Sequence, residues 1–149
     1  MPRLAEPGPG DYGWGPPGPP EGGTMLKDHD SSAIVAVDDL DRARAFYSDL
    51  LGLDLAEQGA EEDVLVYSTG ATRLVVYRSD HAGTNRANAV VWGVGAEIEP
   101  IVAALEAKGA TFEHYPEIGR LEGHIHHSRG AKLVWLKDPA GNILHLNSM

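Results

Sequence analysis

One pattern occurs twice in this chain. Ile34-Val35-Ala36-Val37, an amphipathic segment and Gly52 are echoed by Val90-Val91-Trp92-Gly93-Val94, a second amphipathic segment and Gly109. Val37 to Val94 and Gly52 to Gly109 share one offset of 57 residues. A strand-helix unit that returns at a fixed offset in a short chain implies a pseudo-symmetric domain. Such a domain tends to keep its site where the two copies meet.

Each copy reads as β-α-β-β-β. Residues 32 to 37 are short, apolar and β-branched, the mark of a buried strand. Asp39 is placed to cap a helix whose apolar residues Leu40, Ala43, Phe46, Tyr47, Leu50 and Leu51 share one face, and Gly52 supplies a left-handed stop. This predicts a helix over about 39 to 51. Strands are expected at Leu53 to Glu57, Val64 to Ser68 and Leu74 to Tyr77. In the second copy Ala89 to Val94 is a strand, and Ile98, Ile101, Val102 and Leu105 form the stripe of a helix over about 97 to 108. Thr111 to Tyr115, Leu133 to Lys137 and Ile143 to Asn147 follow as strands, the last two joined by the turn Asp138-Pro139-Ala140-Gly141-Asn142. The polar stretch 79 to 88 suits a connector. Residues 116 to 130 form a longer loop in the second copy alone, and extra length on a rigid frame tends to carry specificity.

Composition limits the rest. At 149 residues and 42% hydrophobic content the chain can bury one core. Residues 1 to 23 hold seven of its ten prolines and seven of its eighteen glycines, so 1–24 is expected to be a disordered tail before a single domain at 25–149. Met25, where globular sequence begins, is an alternative natural start to Met1. The tail has no apolar h-region and no run approaches a membrane span, which points to a cytoplasmic protein without a membrane partner. The absence of cysteine removes disulfides, thiolate metal sites and cysteine nucleophiles. A net charge of −10 argues against nucleic acid. Gly93-Val94-Gly95 lacks the third glycine of a dinucleotide fingerprint, and no Gly-x-Ser-x-Gly elbow exists.

The stretch Val37-Asp38-Asp39-Leu40-Asp41-Arg42-Ala43 with Phe46-Tyr47 and Leu51-Gly52, together with Lys137-Asp138-Pro139-Ala140-Gly141-Asn142, resembles the vicinal oxygen chelate superfamily. That group includes glyoxalases, extradiol dioxygenases and bleomycin- and fosfomycin-resistance proteins. The resemblance spans residues 30 to 148. It implies an α+β fold of two paired βαβββ modules, about 30–78 and 88–148, forming a curved mixed sheet that encloses a cup, with the helices outside. It also implies a homodimer. In metal-dependent members the first and last strands of each module supply the ligands. Those positions fall here on Ser32, near Val76, on Ala89 and on His145. Alanine and valine cannot ligate and neutral serine is a poor ligand, which leaves one strong donor where three or more are the norm. No cofactor is therefore expected.

The histidines offer an alternative. His124, His126 and His127 lie in the 116–130 loop, with His114 and His145 in the same third of the chain. They read either as exposed residues of a polar loop or, if His124 and His126 approach His145, as a relocated site for zinc, nickel, manganese or iron. His145 reads either as a hydrogen-bonded structural residue or as a ligand contact and general base, a role suited to a pKa near 6.5.

The leading expectation is a glyoxalase/bleomycin-resistance-like protein that binds a small, partly apolar molecule without the usual metal. Ser32, Ile34, Val76, Ala89, Val91, Tyr115, Trp135 and His145 are its expected ligand contacts. The alternative is an enzyme of the same superfamily, a lyase, isomerase or dioxygenase, with His145 as catalytic base or with metal on His124, His126 and His145.

Overall fold

The computed structural model describes residues 25–58 and 63–149; the expected tail over 1–24 lies outside them. The first module runs β1 (Ala33–Val37), α1 (Leu40–Arg44), β2 (Asp54–Gln58), β3 (Val64–Thr69) and β4 (Thr72–Arg78). Its strands order as β1-β4-β3-β2, with β1 parallel to β4 and the others antiparallel. The second module runs β5 (Asn88–Gly93), α2 (Ile98–Ala107), β6 (Phe112–Glu113), β7 (Arg120–Glu122), β8 (Ile125–Ser128), β9 (Ala131–Lys137) and β10 (Ile143–Asn147). Here β5 is parallel to β10, β10 pairs with β9, and β6 and β8 share the far edge of β9. The two βαβββ modules of the expected α+β fold are therefore present, and β1 lies beside β5 where they meet.

Local chemistry sets the helix ends. The Asp39 side chain accepts from the Arg42 N–H at 3.1 Å, as its cap position predicts. After Arg44 the helix widens into a π-helical stretch at Ala45–Leu50, shown by Leu51 N–H donating to the Phe46 carbonyl at 2.8 Å. Gly52 and Gly109 hold the left-handed conformation at φ 71° and 84°. No helix among the described residues is long and apolar enough to cross a membrane.

Alternation divides each sheet into two faces. Val35, Val37, Leu65, Tyr67, Leu74, Val76, Val134, Leu136, Leu144 and Leu146 join Phe46, Tyr47, Ile98, Val102 and Leu105 from the helices in the main core. The other face of the first module carries a smaller cluster of Val64, Val66 and Val75 with Tyr77. That second face is the inner wall of the cup.

A polar staple fastens module to module. Asp138, buried in the β9–β10 turn, accepts from the Tyr47 hydroxyl at 2.7 Å, from the Asn142 side chain at 2.8 Å, and from the backbone N–H groups of Ala140 and Asn142 at 3.0 and 2.8 Å. Asn142 also donates to the Ala36 carbonyl of β1 at 2.7 Å. Burial, and next the Asp138 carboxylate, push the Tyr47 phenol far above its ordinary range, so it stays a donor. The Asp-Pro-Ala-Gly-Asn sequence thus does more than turn the chain: it ties β1 and the π-helical stretch after α1 to the second sheet.

Two expectations need correction. Residues 116 to 130 are not a plain loop: β7 and β8 form a hairpin there, closed by a turn at Gly123 with φ 61°. The strands are three and four residues long and rich in His and Glu, so no apolar alternation announces them. The second correction is Val76, which is fully buried in the main core rather than lining the cup. Ile34 pairs with Val75, and Val75 takes the inner position. The β3–β4 hairpin closes tightly, with Thr69 opposite Thr72, whereas the β9–β10 turn spans five residues between Lys137 and Ile143. Counting from one turn to the other misses by one residue, and a slip of one flips the face.

Candidate functional site

The floor of the cup is apolar at the seam between modules. Ile34 and Val91, related by the 57-residue offset, are 56% and 58% exposed although each sits within a strand. Large aliphatics left open on an inner sheet face mark a surface that gains by being covered. Val91 pairs with His145, and His145 with Trp135, so one rung runs from the seam into the second sheet.

His145 is the polar centre of that rung. Its ring stacks on Trp135 with centroids 4.7 Å apart and planes 22° from parallel, and Nδ1 donates to the Val134 carbonyl at 3.0 Å. A carbonyl can only accept, so Nδ1 carries the proton and Nε2 is left with a lone pair. Among the described residues Nε2 has no hydrogen-bond partner. Burial lowers the imidazole pKa, outweighing the upward pull of the Val134 carbonyl. The folded state therefore keeps His145 neutral to lower pH than the unfolded chain does. Its contribution to stability is complete above the unfolded value of about 6.5 and is lost as pH falls toward the depressed folded value. His145→Asn should flatten the fall in unfolding free energy as pH drops below about 6.5, relative to wild type, measured by urea denaturation. Parallel curves would show that the imidazole is fully hydrated in the cup.

Trp135 anchors an aromatic wall. Tyr115 and His126 meet it edge-on at 5.2 and 4.9 Å, and its indole N–H donates to Asn88 Oδ1 at 3.1 Å. Ser32 directly precedes β1. A bulge alters the expectation for Ala89: Ile143 pairs with Asn88 and Leu144 with Val90, so Ala89 is the extra residue. It packs against the main core and touches the groove beside the cup, while Asn88 offers the polar group.

That groove has a volume of about 370 Å³. Ile34, Ala36, Tyr77, Asn88 and Asn142 line one side, and His81, Gly83, Thr84 and Asn85 of the connector line the other. The connector read as spacer is thus a wall of the site. Its signal in the sequence was the density of Thr and Asn in 84 to 88, which composition alone does not separate from a linker.

The histidine trio does not assemble. His126 is fully buried with both ring nitrogens engaged, Nε2 accepting from Tyr115 N–H at 2.8 Å and Nδ1 donating to the Leu133 carbonyl at 3.2 Å. His124 stacks on Phe112 and sits between His114, at 2.9 Å, and Glu106, at 3.3 Å. Among the described residues no three His, Cys, Asp or Glu side chains gather as a metal-holding group.

A sequence profile of the Glyoxalase/Bleomycin resistance protein/Dioxygenase superfamily matches residues 31–146. The chain belongs to that superfamily. No functionally curated protein matches the sequence significantly. Solved structures of the glyoxalase superfamily share the fold. The Agrobacterium tumefaciens lactoylglutathione lyase superposes with a TM-score of 0.58 at 20% identity, covering 86% of this chain and 94% of that one. A glyoxalase/bleomycin resistance protein/dioxygenase from Alicyclobacillus acidocaldarius gives 0.58 at 23%, covering 76% and 86%. The fosfomycin resistance protein FosX from Mesorhizobium loti gives 0.59 at 10%, covering 82% and 92%. At these identities the likeness is one of fold. The positions that the superfamily resemblance marks for metal ligands fall on Ser32, near Val76, on Ala89 and on His145; the strand register moves the second to Val75 and places Asn88 beside the third, and one imidazole is the only strong transition-metal donor in that set. This donor set does not fit the usual divalent ion.

Proposed function

We propose that this superfamily member binds a small, partly apolar molecule in its cup and does so without the divalent ion used by metal-dependent relatives. The observation that carries this reading is the rung of Val91, His145 and Trp135 beside Ile34: an exposed apolar floor next to one fixed hydrogen-bonding nitrogen. Ligand pockets commonly combine an apolar wall with a few placed polar groups. Ser32, Ile34, Val75, Val91, Tyr115, Trp135 and His145 are the proposed contacts.

A second reading is favoured by the tautomer of His145. A neutral imidazole with a free Nε2 lone pair is also a competent general base, so a metal-free lyase or isomerase reaction is the alternative. Progress curves with candidate carbonyl substrates separate the two, because a binder gives saturation without turnover.

Removal of the imidazole tests the site. His145→Ala should weaken binding of any molecule hydrogen-bonded to Nε2 by about 1–3 kcal/mol, or roughly 5- to 150-fold in Kd, read by calorimetry on a hit from a fragment screen. Chelator should leave both Kd and the unfolding midpoint unchanged. Binding that disappears with chelator, or that survives His145→Ala at full strength, would overturn the assignment.

A further inference from the structure

We propose that the connector between the modules selects for an oxygen acceptor, a carboxylate or carbonyl, on the molecule in the cup, through the side-chain NH2 groups of Asn85 and Asn88. This rests on the cup being a ligand site and adds the chemistry of one end of the ligand. An amide side chain can present either its oxygen or its nitrogen, and its partners decide which. Here both partners are obligate donors. The Trp135 indole N–H points at Asn88 Oδ1 at 3.1 Å, and the Ala87 backbone N–H points at Asn85 Oδ1 at 3.0 Å. Neither indole nor backbone nitrogen can accept, so each amide turns its oxygen toward that donor and its Nδ2 away from it. The two Nδ2 groups are left without a partner among the described residues, on side chains that line the same groove.

The donors are held in place before any ligand arrives. Ser79 N–H donates to the Val37 carbonyl at 2.9 Å, His81 N–H to Ser79 Oγ at 3.1 Å, and the Thr84 hydroxyl to the His81 carbonyl at 2.8 Å. Gly83 lies so close to the β9–β10 turn that a Cβ there would come within 2.3 Å of the Ala140 carbonyl oxygen. Ordering the loop in advance lowers the cost of using it. A bound group that can only donate would face two NH2 donors and make no hydrogen bond with either, whereas an acceptor makes one with each. The net charge of −10 opposes anions at long range, yet salt screens that field beyond about 8 Å at physiological ionic strength. Contact chemistry decides the end group.

A matched set of probes with one aromatic body tests this: phenylacetate, phenylacetamide and phenethylamine, titrated at millimolar concentration into the 15N-labelled protein. The expected result is that the acid and the amide shift the Trp135 indole N–H and the Asn85 and Asn88 side-chain resonances, and that the amine does not. Asn88→Asp is the decisive variant, because a carboxylate still accepts from Trp135 while its free oxygen replaces the NH2 donor. It should weaken phenylacetate by about tenfold or more and improve phenethylamine, with the Trp135 indole resonance preserved in the free protein. Acid and amine binding equally well, or Asn88→Asp leaving their order unchanged, would overturn the donor pair while the cup as a ligand site stands. No response of cup resonances to any of the three would overturn both.

Discussion

Asp138→Ala should lower the unfolding free energy by about 3–5 kcal/mol and the melting temperature by roughly 10 °C or more. The carboxylate serves four donors at once: the Tyr47 hydroxyl, the Asn142 side chain and the N–H groups of Ala140 and Asn142. Truncation strips this acceptor from all four, three of them buried and the Ala140 N–H half-buried, and a buried donor without a partner costs more than a made bond contributes. Tyr47→Phe removes only one donor and should cost about 1–2 kcal/mol. Urea denaturation of the two variants and wild type would measure both numbers. A loss below about 1 kcal/mol for Asp138→Ala would mean that the apolar core alone joins the modules.

Gly83→Ala should free the connector from the second module and destabilise the fold by about 1–3 kcal/mol. Two effects combine there: a φ of 76°, which disfavours any side chain, and the approach of Ala140 to within 2.3 Å of the added methyl. Gly70→Ala is the control, because Gly70 has φ 54° with open space around it. That variant should show the backbone cost alone, about 1 kcal/mol. Hydrogen exchange over residues 79 to 88 should accelerate in Gly83→Ala and stay unchanged in Gly70→Ala. Equal behaviour of the two would show that the close approach to Ala140 holds nothing in place.

The architecture was legible because the signals that carry it are long or repeated. Two helical stripes, two stop glycines and the 57-residue offset agree with one another, and agreement across levels is what makes a sequence specify a fold. The cup was legible only in part. Ile34, Val91, Trp135 and His145 share the inner face as alternation from the strand cores predicts, since the one bulge in those strands, at Ala89, falls before Val91. Val76 failed because the two hairpin turns differ in length. Ala89 failed because a bulge inserts one residue opposite Ile143, and no side-chain pattern records a bulge. His126 looked like a metal ligand by spacing and proved to be a core histidine, both of its nitrogens taken by backbone groups that only the folded chain brings near. Asn85 and Asn88 carried no site signal for a related reason: the orientation of their amides is set by Ala87 and Trp135, the second of which lies 47 residues away from Asn88.

In a duplicated fold the two copies constrain each other, since a change in one must still fit against its twin. The connector has no twin. It is fastened by hydrogen bonds, one of them from Ser79 N–H to the Val37 carbonyl of β1, and by one backbone approach at Gly83, and none of its residues belongs to the main core. Its exposed side chains at 84 and 85 lie outside both sheets and the core, whereas Asn88 opens β5 and holds the Trp135 indole. If the proposed selection holds, end-group preference and core packing rest on different residues, so a library at positions 84 and 85 would sample new ligand preferences on an intact scaffold.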